Sequence, residues 1–462
     1  MTTTFPRLWR QTPYLLWLTS DTGKGLAATL FSFAVPLLAL VITNDPAQAG
    51  VVAAVGTVVR LLATLTGGVL ADRHRRIVMM ALGAGIAAIA AGAFTATAVA
   101  GGIDFLALLL FEVVLAAISG LFGPAGEAAL KDIVPEQMMG RAQAANQGRD
   151  AALQLAGGPI GGMLLAAGGW LIGAAMMLSS LISAVAAWAL GRRVGWARAG
   201  GSDADAGAGA GGNAGADAGA VPGAVDAEAG AVASADPVLR ANGLRELREG
   251  VRWLFRRPDL STGTVVATVI NLGLNAGITT MIYAVLQAGY SEATIGWMMA
   301  ASGAAMLVGA LLAPSLVPRI GAGMLMILGL SACTAAMVGG VFVETPWGVA
   351  LLICAAVFLI PALNAAFSGY TMVATPSALI GRVNSVGGVL SMGAMPLSPL
   401  IAGFGLAWAG RTSTLIFSLA LCAIALIMGV TSRALRSIPA EAGWAEHAKQ
   451  YEQPVLAAMA AR

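Results

Sequence analysis

Residues 68–76 read Gly68-Val69-Leu70-Ala71-Asp72-Arg73-His74-Arg75-Arg76, a charged stretch between apolar runs at 49–71 and 77–100. Each run is long enough for a membrane-spanning helix, which needs about 20 predominantly apolar residues. The stretch between them is therefore predicted to be a tight turn at a membrane surface. Its arginines favour the cytoplasmic side, Asp72 can lie against a helix N-terminus or a base, and Gly68 permits a close approach of helices.

The composition of the whole chain is that of a membrane protein. Of 462 residues, 58% are apolar and 11% are charged, against about 45–50% and about 25% in soluble domains. Runs of spanning length occur six times before a polar interval and six times after it. They lie at 13–42, 49–71, 77–100, 103–130, 142–167 and 169–190, and then at 260–288, 291–316, 322–343, 346–370, 383–408 and 412–432. We therefore predict an all-α integral membrane protein with twelve transmembrane helices in two six-helix bundles.

The polar interval gives the chain its predicted domains. These are an N-terminal bundle at 1–195, a linker at 196–258, a C-terminal bundle at 259–432 and a tail at 433–462. Residues 197–236 lack Leu, Ile, Met, Phe, Trp and Tyr, so they cannot bury a core and are predicted to be disordered. Residues 237–257 mix arginines with apolar residues, which favours an amphipathic helix on the cytoplasmic membrane surface. The alternative is a solvated helix that continues into the seventh segment. The tail is predicted to be cytoplasmic and either helical or loose.

The basic residues predict the orientation. If the N-terminus is inside, 22 of the 26 Lys and Arg residues lie in segments on that side, and the opposite loops hold only Arg411. Because basic residues near short loops stay in the cytoplasm, we expect a multi-pass protein of the cell inner membrane with both termini cytoplasmic. The net charge of +3 gives no reason to expect a nucleic-acid partner.

An internal repeat relates the two halves. Pro135 is followed after four residues by Gly140-Arg141, and Pro376 is followed after four residues by Gly381-Arg382, an offset of 241. The same offset relates Gly162 to Gly403 and Gly68 to Gly309. The two halves are therefore predicted to be a parallel duplication, in which a substrate site commonly lies between the halves near the bilayer midplane.

The 68–76 stretch, the six-plus-six segments, the long central loop and the same-direction repeat together resemble the major facilitator superfamily over essentially the whole chain. The resemblance implies that two bundles rock about a central cavity to move a solute. It also implies that the charged turn acts as a conformational latch between the bundles; a plain positive-inside turn is the alternative. The latch residues would be Gly68, Asp72, Arg73, Arg76, Arg141 and Arg382.

Two further motifs refine the resemblance. Gly123-Pro124-Ala125, Val134-Pro135-Glu136 and Gly381-Arg382 are similar to the drug and siderophore exporter branch, typified by bacterial macrolide and enterobactin efflux proteins. The fifth segment carries Gly157-Gly158-Pro159-Ile160-Gly161-Gly162, which is similar to the antiporter signature. There Gly158, Pro159, Gly161 and Gly162 would kink the helix and pack it against the other bundle. Met163 stands where that signature usually has glycine, and unspecific glycine packing is the alternative.

Ionisable residues inside membrane segments are costly and usually mark a pathway or an ion pair. Asp21 and Lys24 lie one turn apart and can neutralise each other. Asp21 is the first candidate for proton coupling, with a structural pair as the alternative. Arg60 and Glu112 are both near the midplane, can pair, and are further candidates for proton coupling. The superfamily often carries an arginine associated with proton coupling at the Glu112 position, so that assignment is not transferred.

The remaining site residues are weaker candidates. Arg149-Asp150 is interpreted as a gate or a tie between the bundles, and Asp150 is a further coupling candidate. Several large residues of the second half are candidates for lining an apolar cavity, although core or lipid-facing positions are the commoner alternative. They are Met281, Tyr283, Trp297, Met298 and Phe367.

We therefore expect a monomeric proton antiporter that exports a small amphiphilic or hydrophobic compound. The alternatives are an importer or uniporter of a small solute and, less favoured, a membrane receptor. The sequence shows no Cys or His spacing for a metal and no convincing Ser, His and Asp set, so neither an enzyme nor a cofactor is predicted.

Overall fold

The computed structural model describes residues 11–134, 136–194, 251–376, 383, 386–387, 390 and 393–451, apart from the side chains of 69, 72, 131, 136–141, 143–144, 147 and 151. The N-terminal half forms six helices in chain order. They are α1 Thr12–Thr43, α2 Pro46–Arg73, α3 Arg76–Val99, α4 Phe105–Ile133, α5 Glu136–Ala167 and α6 Gly169–Val194. Aspartates cap two of them: Asp45 accepts from the backbone N–H of Ala47 at 2.8 Å, and Asp104 from that of Ala107 at 2.8 Å.

The C-terminal half repeats this arrangement. Its helices are α7 Pro258–Gln287, α8 Glu292–Leu316, α9 Ala322–Phe342, α10 Pro346–Val357, α11 Ile360–Ala374, α12 Leu397–Trp408, α13 Gly410–Thr431 and the short α14 Arg433–Arg436. α10 and α11 form one span, Pro346–Ala374, that is interrupted at residues 358–359. Pro361 explains the interruption, because proline has no N–H to donate to the carbonyl four residues earlier. The sequence predicts a single uninterrupted tenth helix.

Ten helical segments of the described residues are long and apolar enough to cross a membrane. α5 falls short because its first half is polar, and α12 is short because a turn at residues 394–396 precedes it. Both nevertheless pack within the bundles alongside the other ten. The structure therefore confirms the predicted all-α membrane fold with two six-helix bundles.

The two ends of the molecule differ in their turns. Turns with a left-handed residue join α1 to α2, α3 to α4, α5 to α6, α7 to α8 and α12 to α13; we call this the hairpin end. Those residues are Asn44, Gly101, Gly168, Gly289 and Gly410. The α2–α3 turn, Arg257 and the tail lie at the opposite end, which we call the basic end.

Glycines hold the two bundles together at equivalent places. A Cβ added to Gly162 of α5 would lie 2.5 Å from the carbonyl oxygen of Glu292 and 3.0 Å from the Cα of Gly296, both on α8. A Cβ on Gly403 of α12 would collide with the carbonyl oxygen of Pro46 and lie 3.0 Å from the Cα of Gly50. Glu292 and Pro46 are the first residues of their helices. The 241-residue repeat thus relates two matching backbone contacts between the bundles.

The tail is folded against the C-terminal bundle at the basic end. The backbone N–H groups of Ala322 and Gly323, at the start of α9, donate to the carbonyls of Pro439 and Ile438 at 3.1 and 3.2 Å. Trp444 is 6% exposed and lies over Gly369 of α11. The described part of the tail therefore caps α9 and packs on α11. The sequence predicts only that the tail is helical or loose.

The prediction that residues 237–257 lie on the membrane surface is wrong for the residues from 251 onward. Trp253 and Leu254 are 5% and 1% exposed and belong to the core beneath the tail. The alternative of a helix that continues into α7 is wrong as well, because the chain leaves the helical conformation at Arg257. Residues 195–250 lie outside the described residues.

Arg257 enters the core because it has a full set of partners. Its guanidinium donates to both oxygens of Asp259, at 2.7 and 3.0 Å, and to the carbonyl of Ala374 at 3.2 Å. The Tyr370 hydroxyl donates to Asp259 at 2.5 Å. Burial opposes the positive charge, but the bonds to Asp259 hold the pKa of Arg257 above its ordinary value. This ionic cluster joins the start of α7 to α11.

Breaking the cluster should destabilise the protein in a graded way. Asp259→Asn leaves a buried guanidinium without its counter-charge, so we expect a loss of about 3–5 kcal/mol. Tyr370→Phe removes one hydrogen bond to a charged group and should cost about 1.5–3 kcal/mol. The midpoint of thermal unfolding in detergent should fall in that order. Arg319→Gln, at an exposed position, is the matched control, and equal midpoints for Asp259→Asn and Arg319→Gln would contradict the prediction.

Candidate functional site: a central cavity and two charged clusters

A cavity lies between the two bundles. We call it the central cavity; its volume is about 460 Å³, and α1, α2, α5, α7, α8 and residues 395–399 line it. Its uncharged polar side chains are Thr29, Ser32, Thr57, Gln154, Asn275, Thr279, Ser302 and Ser398. Its larger apolar and aromatic side chains are Phe33, Leu37, Ile282, Tyr283, Ile295, Met299, Met306 and Met395. None of the described residues that line it is charged.

The sequence predicts only part of this lining. Of the five large residues proposed for an apolar cavity, Tyr283 lines it. Met281 and Met298 are buried in the core, and Trp297 is 53% exposed on the outer surface. Phe367 lies against Gly263 of α7. Polar residues at helical spacing on α1, such as Thr29 and Ser32 beside Phe33 and Pro36, are the signal that could have identified more of the wall.

Asp21 lies at the centre of a charged cluster inside the N-terminal bundle. Its two carboxylate oxygens contact the Lys24 ammonium at 2.6 Å and the Arg149 guanidinium at 2.8 Å. Lys24 also donates to the carbonyl of Gly123 at 3.3 Å. Asp21 is 6% exposed, and Gly126 of α4 leaves the space that its carboxylate occupies. Two cations therefore hold the Asp21 carboxylate in its ionised form.

The interpretation of Arg149-Asp150 as a tie between bundles is wrong in this conformation. Arg149, on α5, binds Asp21 on α1 and its own neighbour Asp150 at 2.8 Å, and both helices belong to the N-terminal bundle. The Asp150 side chain is 53% exposed and lies outside the largely buried pair of Arg149 and Asp21.

Glu112 lies in a different environment from Asp21. It is 4% exposed, and its carboxylate occupies the space above Gly56, where any larger residue on α2 would collide with it. No cation lies within 4.0 Å of it among the described side chains, and Arg60 is near without forming an ion pair. The Arg60 Nε atom is also buried without a hydrogen-bond partner in the described structure. The expected Arg60–Glu112 pair is therefore not formed in this conformation.

The predicted latch residues are only partly described. Arg76 contacts Asp132 at 2.8 Å and the carbonyl of Ala128 at 3.2 Å, which joins α3 to α4 within one bundle. Arg73 is exposed at the end of α2. The side chains of Asp72 and Arg141, and the whole of Arg382, lie outside the described residues.

Gly68 does not mediate the close approach that the sequence predicts. A Cβ at Gly68 would meet nothing within 4 Å, whereas one at Gly67 would lie 2.5 Å from the carbonyl oxygens of Gly120 and Leu121 on α4. Gly309, which the repeat pairs with Gly68, presses on the backbone of Phe358 in the second bundle. At this end of α2 the close approach to a neighbouring helix is therefore made by Gly67, one residue earlier than predicted.

The motif of α5 faces two neighbours. A Cβ at Gly158 would lie 2.8 Å from the Cβ of Met299 and 2.9 Å from the carbonyl oxygen of Gly296, and Gly162 also faces α8. Gly161 meets Phe33 of α1, and Pro159 lies inside the helix. Met163, which stands at a usual glycine position, is 48% exposed and leaves this packing undisturbed.

In the described part of the chain, no three His, Cys, Asp or Glu side chains come together as metal ligands would. The site therefore consists of an uncharged cavity between the bundles and two groups of ionisable residues in the first bundle. One group is Asp21 with Lys24 and Arg149, and the other is Glu112 with the nearby Arg60. α2 and α1 lie between the cavity and these groups. On α2, Thr57 faces the cavity and Gly56 faces Glu112. On α1, Thr29 and Ser32 face the cavity and Asp21 faces α5.

Comparisons with known proteins agree on the architecture. A family model described as Major Facilitator Superfamily matches residues 23–399. A bacterial homologue of the iron transporter ferroportin, solved in an inward-facing state, has a TM-score of 0.66 at 16% identity over 94% of this chain and 100% of that one. The nucleoside transporter NupG has a TM-score of 0.62 at 13% identity, covering 91% of this chain and 99% of that one. A POT family transporter in complex with 5-aminolevulinic acid has a TM-score of 0.60 at 13% identity, covering 91% and 96%. No curated protein matches the sequence.

Enlarging Gly162 should open the cavity at the hairpin end. In a background where Cys333, Cys354 and Cys422 are replaced by Ala, Ser302→Cys provides a reporter on the cavity wall. Adding Gly162→Ala forces α5 and α8 apart, so a membrane-impermeant maleimide applied from the hairpin end should label the reporter severalfold faster. Gly85→Ala, where an added Cβ meets nothing within 4 Å, is the control. An unchanged labelling rate in the Gly162 variant would contradict this account.

Proposed function

Because the chain belongs to the major facilitator superfamily, we propose that it exports a small amphiphilic or hydrophobic compound by proton antiport through alternating access. The observation that carries the proposal is the central cavity, which combines eight uncharged polar side chains with Phe, Tyr and Met. Ligand pockets of this kind are mostly apolar with a few polar groups that fix orientation. Methionines adapt to ligands of different shape. The neighbours with solved structures are described by different solutes, so the fold alone does not choose among them.

The cavity chemistry favours an uncharged solute or one whose charge is shielded. A charged group transferred from water into this cavity would lose hydration and find no counter-charge on the described walls. Hydroxyl and amide groups can instead satisfy carbonyl, hydroxyl or amine groups of an amphiphile. The motifs that resemble the drug and siderophore exporter branch are consistent with such a solute, and we propose that branch for this protein.

The bundle contacts support alternating access. The closest glycine contacts between the bundles in the described residues lie toward the hairpin end, at Gly50, Gly158, Gly162, Gly296 and Gly403; Gly303, farther along α8, meets Leu155 less tightly. These contacts involve backbone atoms with few interlocking side chains, so they can separate as rigid surfaces. With the basic end in the cytoplasm, as the arginine distribution predicts, the state described here is closed toward the outside of an inner membrane. The conformational latch at 68–76 remains part of this proposal.

Glu112 is the coupling residue that the geometry favours over Asp21. A carboxylate held between two cations keeps its charge, whereas a buried carboxyl without a cation in contact is most stable in its neutral, protonated form. A rotation of α2 against α4 within the N-terminal bundle, driven by the rocking of the bundles, would bring Arg60 onto Glu112, favour the ionised carboxylate and release the proton. Asp21, Lys24 and Arg149 then serve as a fixed cluster that orients α1 and α5.

The two carboxyls can be distinguished in proteoliposomes with an imposed pH gradient. Glu112→Gln should reduce gradient-driven transport to the rate measured without a gradient, while exchange of labelled for unlabelled solute at equal pH continues, because the neutral side chain imitates the protonated state. Asp21→Asn should retain the gradient response and lower the thermal midpoint, since it leaves Lys24 and Arg149 without their shared carboxylate. The reverse pattern would return the coupling role to Asp21.

The polar groups of the cavity provide a test of the substrate class. In a vesicle screen of drugs, siderophores and lipids, uncharged amphiphiles should be transported better than strong acids of similar size. Asn275→Leu should change the apparent KM for the best compound, because Asn275 lines the cavity. Asn364→Leu, at an exposed position away from the described cavity wall, is the matched control. An equal effect of both substitutions, or a preference for anions, would contradict the proposed class.

The second candidate is a uniporter or importer of a small solute. It is favoured by the separation of the coupling carboxyl from the cavity, since no titratable carboxyl or imidazole lies on the described cavity wall. Cells that lack an exporter accumulate more of the compound, and cells that lack an importer accumulate less. In either case we propose a monomer in the inner membrane with both termini cytoplasmic.

A further inference from the structure

An apolar groove runs along the outer surface of the N-terminal bundle, between α3 and α6, far from the central cavity. Val78, Ala81 and Leu82 form one side and Ala184, Val185 and Trp188 form the other, around a volume of about 460 Å³. The two alanines are half-buried and make the floor. Leu82, Val185 and Trp188, which are 55%, 63% and 48% exposed, make the rim. This groove faces the acyl chains of the bilayer.

Arginines close the groove at the basic end. The Arg192 guanidinium lies 4.2 Å from the ring centroid of Trp188, one helical turn below it. Arg193 is its exposed neighbour in the last turn of α6. Contacts of Gly173 with Phe94 and of Gly92 with Met177 fix an antiparallel register that brings Arg75, at the start of α3, level with Arg192.

These arginines carry charge that the described structure leaves unbalanced. Within the described residues, Arg75, Arg192 and Arg193 form no ion pair, whereas Arg76 is already bound to Asp132. Tryptophan is enriched at the depth of lipid headgroups, and the Trp188–Arg192 pair fixes that depth on α6. The arginines thus lie at the basic end of the apolar groove. This order, charge at the membrane surface and apolar groove deeper in the bilayer, matches the phosphate and acyl chain of a phospholipid.

We propose that this groove binds an anionic phospholipid from the leaflet at the basic end. The phosphate would contact Arg192, Arg193 and Arg75, and one acyl chain would lie between Leu82 and Val185 over the two alanines. Basic clusters at a membrane surface attract anionic lipids by about 1 kcal/mol per Lys or Arg. A zwitterionic lipid with the same chains fills the groove equally well but gains less from the arginines, so the site selects by headgroup charge.

The experiment compares phosphatidylglycerol with phosphatidylcholine of identical chains, added to the full-length protein in detergent and detected by native mass spectrometry. The wild type should retain phosphatidylglycerol preferentially. Arg192→Gln with Arg193→Gln should reduce that preference by about fivefold per arginine. Ala81→Phe fills the floor of the groove and should reduce retention of both lipids without a change in charge.

Two control variants separate this site from general lipid contact. Trp170 lies on the same face of α6, five turns away at the hairpin end, and is 44% exposed. Trp170→Ala should leave the preference unchanged, whereas Trp188→Ala should reduce it. Arg319→Gln removes an exposed basic-end arginine of the other bundle and should also have no effect.

Several outcomes would overturn the proposal. One is an unchanged preference in the double glutamine variant, and another is an equal loss with Arg319→Gln. Displacement of bound lipid by glycerol phosphate alone would show that the arginines bind a free anion and that the groove contributes nothing. If the protein retains phosphatidylglycerol preferentially only after residues 200–232 are deleted, then the arginines of the full-length chain bind the acidic linker and not a lipid.

Discussion

The structure depends on one constraint, the direct approach of backbone to backbone where the two bundles meet. At Gly162 and Gly403 there is no room for even a methyl group, because a carbonyl and a second glycine of the opposing helix occupy that space. Such contacts gain dispersion energy from close packing yet involve no interlocking side chains. They stabilise this conformation, and the two surfaces can still separate, as the proposed alternating access requires.

The same constraint explains the separation of charges from the cavity. α2, which meets α12 at these glycines, and α5, which meets α8, each face the cavity with one side and an ionisable group with another. On α2 these sides carry Thr57 and Gly56, and on α5 they carry Gln154 and Arg149. A rotation of either helix changes both environments at once. The proton antiport that we propose therefore needs no binding site shared by proton and solute, only helices rigid enough to transmit a rotation.

Sequence reasoning predicts the membrane fold because helix number and repeat follow from apolar length and glycine position, which are local properties. It fails where partners are distant in sequence. Arg257 and Trp253 are interpreted as part of a surface helix because the residues that bury them, Ala374, Tyr370 and Trp444, lie far along the chain. Arg149 and Glu112 have the right depth, but the rotation of α5 and α4, which decides that Arg149 meets Asp21 and that Glu112 meets Gly56, is set by tertiary packing.

The position of the tail has a consequence for biosynthesis. The first N–H groups of α9 find their acceptors in the carbonyls of Ile438 and Pro439, and the core at the basic end is closed by Trp444. The C-terminal bundle therefore cannot reach its final packing while these residues are still inside the ribosome. Docking of these residues is therefore a separate step that follows the membrane insertion of the helices against which they pack.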